Sequence, residues 1–111
     1  MRAMEVEHLE LIDRIAVFIE ENYMTHFTIG ELARQMDVSS STVSHLFKQK
    51  MGVSFYRHVT QRRLIAAKQL IEQGALLEDV CLQVGFTDYS GFYRAFKQEY
   101  GISPRQYRIR Q

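Results

Sequence analysis

Ser41 and His45 are the residues of this chain whose spacing comes closest to catalytic chemistry. They stand one helical turn apart with Asp37 nearby, which resembles a nucleophile, its base and an orienting carboxylate. Such a site also needs an oxyanion hole and a substrate pocket, and the surrounding sequence indicates neither. We therefore do not expect an enzyme.

The remaining histidines and the cysteine give no sign of a metal or cofactor site. His8, His26 and His58 are scattered without the short spacings that metal ligands usually share. Cys81 falls on the inward side of a predicted helix, where a packed thiol is expected. A single cysteine without a cysteine–histidine cluster is typical of a reducing compartment, so we predict a cytoplasmic protein without metals or cofactors.

Charge is distributed unevenly, although the formal net charge is only +1. Residues 1–47 carry three Lys or Arg against eight Asp or Glu, whereas residues 48–111 carry eleven against five. This asymmetry favours a partner that presents phosphates to the basic half. The alternative is that the charges only solvate surface helices. No apolar run approaches the ~18 residues of a membrane-spanning helix, so no membrane partner is expected.

Two segments of the chain resemble each other. At one constant spacing, the residues Ile29, Leu32, Ala33, Met36 and Val38 correspond to Leu77, Val80, Cys81, Val84 and Phe86. After one extra residue in the second segment, Phe47-Lys48-Gln49 and Gly52 correspond to Phe96-Lys97-Gln98 and Gly101. Two copies are too few for a solenoid, so the repeat predicts a duplicated small domain.

The first segment predicts two short helices joined by a tight turn. Thr28 and Glu31 have the spacing of a capping box at the start of one helix. The next helix begins near Ser40 or Ser41 and continues to about Met51. This is the helix-turn-helix pattern, whose second helix enters the major groove of DNA.

The second segment repeats the pattern. A helix over residues 77–84 is followed by Gly85, which can adopt the positive φ of a turn. Asp88 is expected to cap a helix that ends before Gly101. A last short helix is predicted after Ser103, because the proline that follows suits the first helical position.

A long helix is predicted between the two segments, with Ser54 as its N-cap and Gly74 as its C-cap. At ~1.5 Å per residue it is about 30 Å long, close to the ~34 Å between successive major-groove segments on one face of DNA. We expect it to act as a spacer. A proline at Ala66 is expected to kink it and to leave both helix-turn-helix cores intact.

These elements predict an all-α fold with about seven helices, the first of which runs from about Leu9 to Tyr23. The predicted domains are a first helix-turn-helix subdomain at residues 9–52, a connecting helix at residues 53–74 and a second helix-turn-helix subdomain at residues 75–111. Apolar residues expected on the inner face of the first helix include Val17.

The chain resembles the DNA-binding domain of AraC/XylS-type transcriptional regulators over about residues 9–108. The matching motifs are Leu32-Ala33, Leu46-Phe47-Lys48, Gly52-x-Ser54, Arg63-Leu64-x-x-Ala67-x-x-Leu70, Gly85-Phe86, Phe92-x-Arg94-x-Phe96-Lys97, Gly101-x-Ser103-Pro104 and Tyr107-Arg108. Three positions differ from the family pattern. His45 replaces a common Arg, Gly91 lies inside a helix, and His58 stands where Tyr or Phe is frequent.

The resemblance implies a sequence-specific, double-stranded DNA-binding domain of a bacterial transcriptional regulator, and we expect an activator that reads two adjacent major-groove segments. Promoter DNA is the expected partner, and RNA polymerase is a further candidate. The domain alone is expected to be a monomer. The sequence fits both a small stand-alone regulator and one domain of a larger protein. The alternative function is a helical protein-interaction module that contacts RNA polymerase or another regulator without reading DNA.

Arg94 is the strongest candidate for base recognition, because bidentate Arg–guanine pairs are the commonest specific major-groove contact. The further candidates are Ser41, Ser44 and His45 on the first recognition helix and Tyr89, Ser90 and Tyr93 on the second. The candidate phosphate contacts are Lys48, Lys50, Arg57, Arg62, Lys97, Arg105 and Arg108.

Overall fold

A computed structural model describes residues 10–111, and the regular elements among these residues are all helices. They are α1 (Leu11–Asn22), α2 (Ile29–Gln35), α3 (Ser40–Met51), α4 (Phe55–Glu72), α5 (Leu77–Gln83), α6 (Tyr89–Tyr100) and α7 (Pro104–Ile109). The predicted all-α fold with about seven helices is confirmed. Leu9 lies outside the described residues, as does His8.

The chain forms two compact units. Of the described residues, the first unit contains residues 10–22 together with Phe27–Arg57, and the second contains Tyr23–His26 and His58–Gln111. Each unit therefore holds one helix-turn-helix, formed by α2 and α3 in the first and by α5 and α6 in the second. Helix α4 begins in the first unit and continues in the second.

The core of the first unit forms between α1 and its helix-turn-helix. Ile15 and Ile19 on α1 are fully buried, as are Val43 and Phe47 on α3. Val17, by contrast, is 49% exposed, so its predicted inward position is wrong. It lies two residues from each buried isoleucine, and two residues on a helix correspond to about half a turn.

The core of the second unit draws on three helices. Its buried members are Leu64, Ala66, Ala67 and Ile71 on α4, Val80, Cys81 and Val84 at α5, and Phe92 and Phe96 on α6. The expectation that a proline at Ala66 would spare both cores is therefore wrong. Ala66 is itself only 5% exposed, so the kink would fall inside this core.

Hydroxyl and carboxylate caps mark the starts of five helices, whereas α5 follows Leu76 without a side-chain cap. The side chains of Thr28, Ser54, Asp88 and Ser103 each accept a hydrogen bond from the backbone N–H three residues later, as expected for N-caps. Helix α3 is capped by Ser39, whose hydroxyl accepts from the Thr42 N–H at 3.0 Å. These caps give α3 and α6 defined starting residues.

Candidate nucleic-acid interface

A backbone hydrogen bond closes the turn between α2 and α3 in the first unit. The Val38 N–H donates to the Ala33 carbonyl at 3.0 Å, and the preceding Asp37 has a φ of 59°. Aspartate tolerates this left-handed conformation better than most residues, because its short side chain can bond locally. The turn then ends at Ser39, the cap of α3.

The turn of the second unit has the same hydrogen bond and one more residue. The Phe86 N–H donates to the Cys81 carbonyl at 3.0 Å, and Gly85 has a φ of 107°. The predicted positive φ at Gly85 is confirmed. Thr87 is the extra residue, since it lies between Phe86 and the cap Asp88.

Gly85 has a second role that the sequence alone did not reveal. A Cβ at this position would lie 2.7 Å from Arg63 Nε and 2.9 Å from the Tyr23 carbonyl oxygen. The Arg63 guanidinium itself donates to the carbonyls of Tyr23 at 2.6 Å and Thr25 at 2.9 Å. Burial lowers the pKa of Arg63. This arginine therefore fastens the segment after α1 to α4, beside the turn that positions α6.

The outward face of α3 carries the candidate base contacts of the first unit. Ser41, Ser44 and His45 are all exposed, whereas Val43 and Phe47 of the same helix are buried. The face therefore presents two small hydroxyls and one imidazole, all of which can donate or accept hydrogen bonds.

The outward face of α6 is larger and includes a permanent charge. Ser90, Tyr93 and Arg94 are exposed, and Tyr93 retains 37% of its surface. Tyr89 is half-buried, with its ring 5.9 Å from that of Phe92 and 6.4 Å from that of Tyr93. Burial raises the pKa of Tyr89, and the charge of Arg105 partly opposes the rise. Tyr89 is thus partly a packing residue.

Gly91 lies in the first turn of α6 and serves the cap. Its N–H donates to Asp88 Oδ1 at 2.8 Å, and a Cβ would lie 3.3 Å from the same oxygen. A small shift of the flexible carboxylate would relieve that contact, and the other caps of this chain accept from residues that have side chains. The structure gives no reason for a residue of low helix propensity at a position where the family pattern has a larger one.

The candidate phosphate contacts differ in exposure. Lys48, Lys50, Arg57, Lys97 and Arg105 are exposed, and Lys97 Nζ lies 5.9 Å from the centre of the Tyr93 ring. Arg62 and Arg108 are half-buried. The Arg62 guanidinium lies over the Tyr23 ring at 5.1 Å, so it already has a packing role within the second unit.

The second unit also contains a polar cluster at α7 that the sequence did not indicate. The Tyr107 hydroxyl donates to a carboxylate oxygen of Glu72, and Lys68 Nζ lies 4.4 Å from the Tyr100 ring centre and 5.3 Å from that of Tyr107. The hydrogen bond to Glu72 raises the pKa of Tyr107 to about 12. The cluster joins α7 to α4.

Among residues 10–111, no group of three or more His, Cys, Asp or Glu is close enough to hold a metal ion. Cys81 is buried, as predicted, and its thiol donates to the Glu78 carbonyl at 3.1 Å. Burial raises the pKa of the Cys81 thiol. Within the same described part of the chain, none of the helices has the length and apolar character needed to cross a membrane.

Known proteins resemble this chain in sequence and in fold. A lactose operon transcription activator from Staphylococcus xylosus is 33% identical over 100 residues, which are 89% of this chain and 36% of that protein. A second relative is the C-terminal domain of AraT, a response regulator from Geobacillus stearothermophilus, whose structure matches with a TM-score of 0.87 at 28% identity. The match covers 94% of this chain and 88% of the AraT domain.

The DNA-binding domain of the global transcriptional factor AdpA, solved in complex with a target DNA, has a TM-score of 0.85. The match covers 91% of this chain and 92% of the AdpA domain. Because the two sequences are 20% identical, this likeness shows only a shared fold. This chain spans 36% to 42% of the length of the first curated relatives that it matches. A family profile described as a helix-turn-helix domain matches residues 32–110, and the chain belongs to the AraC-type family of helix-turn-helix regulators.

Proposed function

We propose that this chain binds double-stranded DNA at specific sequences and activates transcription, with its two helix-turn-helix units reading adjacent major-groove segments. The observation that carries the proposal is the pair of helices α3 and α6. Each follows a helix-turn-helix turn, buries its apolar side and exposes a polar side. A helix of this kind is the element that enters the major groove in helix-turn-helix proteins.

Base recognition is assigned to the outward faces of these two helices. Arg94 on α6 is exposed and lies between the buried Phe92 and Phe96 in sequence, so its guanidinium points away from the core. It is suited to a bidentate contact with guanine, while Tyr89, Ser90 and Tyr93 contribute neighbouring contacts. In the first unit, we assign base contacts to three residues on α3, namely Ser41, Ser44 and His45.

Backbone binding is assigned to the basic side chains near the same helices. The exposed cations Lys48, Lys50, Arg57, Lys97 and Arg105 are the main phosphate contacts. Arg62 and Arg108 contribute less, because their half-buried positions restrict the reach of the guanidinium groups.

The experiment that tests this function is a titration of labelled duplexes at several salt concentrations. If about five phosphates are contacted, log K against log salt should slope near −4 to −5. A specific duplex should bind more tightly than a random one of the same length at every salt concentration. A slope near zero with no preference between duplexes would support the protein-interaction alternative instead.

The activator role rests on the relatives. The Staphylococcus xylosus relative is named as an activator of lactose operon transcription. By analogy, RNA polymerase is the protein partner of this chain in the bacterial cytoplasm, and the domain binds DNA as a monomer. Transcription in vitro from a promoter that carries the bound site tests this role, because an activator raises the amount of transcript and a repressor lowers it.

A further inference from the structure

An open hollow of about 270 Å³ lies beside the outward face of α3 in the first unit. Ile29, Phe55 and the ring of Tyr56 give it an apolar wall, and hydroxyls of Ser40, Ser44 and Ser54 lie around it. Ser41 also lines it, so the hollow is continuous with the surface assigned to base contacts.

Two of the residues that line the hollow have larger counterparts in the internal repeat. Ser40 and Ser44 correspond to Tyr89 and Tyr93 of the second unit, at the start of helices of equal length. In the second unit those two positions carry aromatic rings, whose centres lie 6.4 Å apart. The first unit therefore has small side chains, at two positions that line the hollow, where the second unit has large ones.

Two hydroxyl groups at the hollow accept backbone hydrogen bonds and can each donate one more. Tyr56 Oη accepts from the Ile29 N–H at 3.4 Å, and Ser54 Oγ accepts from the Arg57 N–H at 3.2 Å. Each hydroxyl keeps its hydrogen for a second partner. Tyr56 is 57% exposed, so that partner comes from solvent or from a ligand. An acceptor without hydrogens of its own, such as a phosphate oxygen, fits this arrangement.

We propose that the hollow binds one deoxyribose-phosphate unit of the bound DNA strand, with Tyr56 as a further positioning residue. The apolar wall packs against the sugar, and the Tyr56 hydroxyl donates to a phosphate oxygen. The proposal rests on the DNA-binding function proposed above. Tyr56 corresponds to Arg105 in the second unit, so the two units contact the backbone with a neutral and a charged residue at equivalent positions.

The test is a scan of a bound duplex in which each phosphate near the first half-site is replaced in turn by a neutral methylphosphonate. The parent protein should lose affinity at each contacted phosphate, including those assigned to basic side chains, and roughly tenfold at the phosphate that the hollow binds. Tyr56→Phe should bind the unmodified duplex roughly tenfold more weakly and should be insensitive at that same phosphate. Because the tyrosine is neutral, its loss should leave the salt slope unchanged.

A second variant fills the hollow without touching Tyr56. Ser40→Tyr introduces the residue of the second unit and should weaken specific and random duplexes by the same factor, since the backbone carries no sequence information. Gln49→Tyr, on an exposed position of the same helix outside the hollow, is the matched control and should bind as the parent does. Thermal unfolding of each variant checks that the fold is retained.

The possible failures are distinguishable. If the parent binds DNA and both Tyr56→Phe and Ser40→Tyr bind equally well, the hollow is not used and this proposal is rejected. If Tyr56→Phe remains sensitive at every phosphate at which the parent is sensitive, the assigned contact is wrong. If the parent binds no duplex at all, the DNA-binding function and this proposal are both rejected.

Discussion

The two helix-turn-helix units share a backbone arrangement and differ in the chemistry that they expose. Helices α2 and α5 each have seven residues, and α3 and α6 each have twelve, with glycine C-caps at φ 78° in both. On the outer faces, however, Ser44 and His45 stand where the second unit has Tyr93 and Arg94. The comparison teaches that the backbone arrangement of a helix-turn-helix unit can stay the same while the side chains on its outer face change.

The turns differ in a way that affects stability. The first unit places Asp37 at the left-handed position and the second places Gly85 there, against Arg63 and the Tyr23 carbonyl. A side chain is therefore tolerated in one turn and not in the other. Single substitutions at these two turns and on the two outer faces test the comparison.

Gly85→Ala should have the largest effect. The new Cβ would combine backbone strain at φ 107° with a contact of 2.9 Å to a backbone oxygen, which costs roughly 2–5 kcal/mol of unfolding free energy. Urea denaturation measures the loss. Asp37→Ala, in the equivalent turn, should cost only about 1 kcal/mol. Equal losses for the two variants would show that the close approach at Gly85 has no energetic weight.

Arg94→Ala should weaken specific binding by about 1–3 kcal/mol and relax the preference at one base pair. Lys97→Ala is the control on the same helix, since a phosphate contact should weaken specific and random duplexes alike. Titrations with single-base variants of the site give both values. If Arg94→Ala affected all duplexes equally, Arg94 would be a backbone contact.

His45→Arg transfers the residue of the second unit to the first. The new guanidinium should add preference for guanine at one position and tighten the best duplex by about 1 kcal/mol, toward the lower end of a bidentate contact. Binding-site selection with the variant shows the added preference. A gain in affinity for random DNA alone would mean that the α3 face does not reach base edges.

Asp37→Gly should have the smallest effect and the opposite sign to the other turn variants. Glycine adopts φ 59° without the Cβ penalty, although it increases the entropy of the unfolded chain, so a gain of a few tenths of a kcal/mol up to about 1 kcal/mol is expected. Urea denaturation again provides the measurement. Destabilisation by more than about 1 kcal/mol would indicate that the Asp37 side chain stabilises the turn.

Much of the fold could be predicted from the sequence because its signals are local. Capping residues such as Asp88 and Ser103 mark helix starts, and glycines such as Gly101 mark helix ends, whatever the rest of the chain does. The repeat then extended each local prediction to its copy. The predicted start of α3 near Ser40 or Ser41 is confirmed, because the helix begins at Ser40 after the cap Ser39.

The features that the sequence did not reveal depend on contacts between distant segments. Arg63 was recognised only as part of a motif, whereas the structure shows it bonded to the Tyr23 and Thr25 carbonyls. The hollow beside Tyr56 depends on how the starts of three helices meet. Ala66 is a similar case, because its apolar spacing did not show that it belongs to the core of the second unit.

The candidate base and phosphate contacts remain predictions of a different kind. An exposed helix face follows from the periodicity of buried residues such as Phe92 and Phe96, which is why Arg94 could be placed outward from the sequence. Which base each side chain meets depends on the DNA. Periodicity within the chain carries no information about that partner.

Selection of bound fragments from a random pool of duplex DNA tests the central claim most directly. The account predicts enrichment of a sequence with two separate conserved blocks, one of which contains a guanine whose preference disappears when Arg94→Ala is used in the selection. Enrichment of a single block would restrict base recognition to one unit. Recovery of a pool no different from the starting DNA would contradict the account.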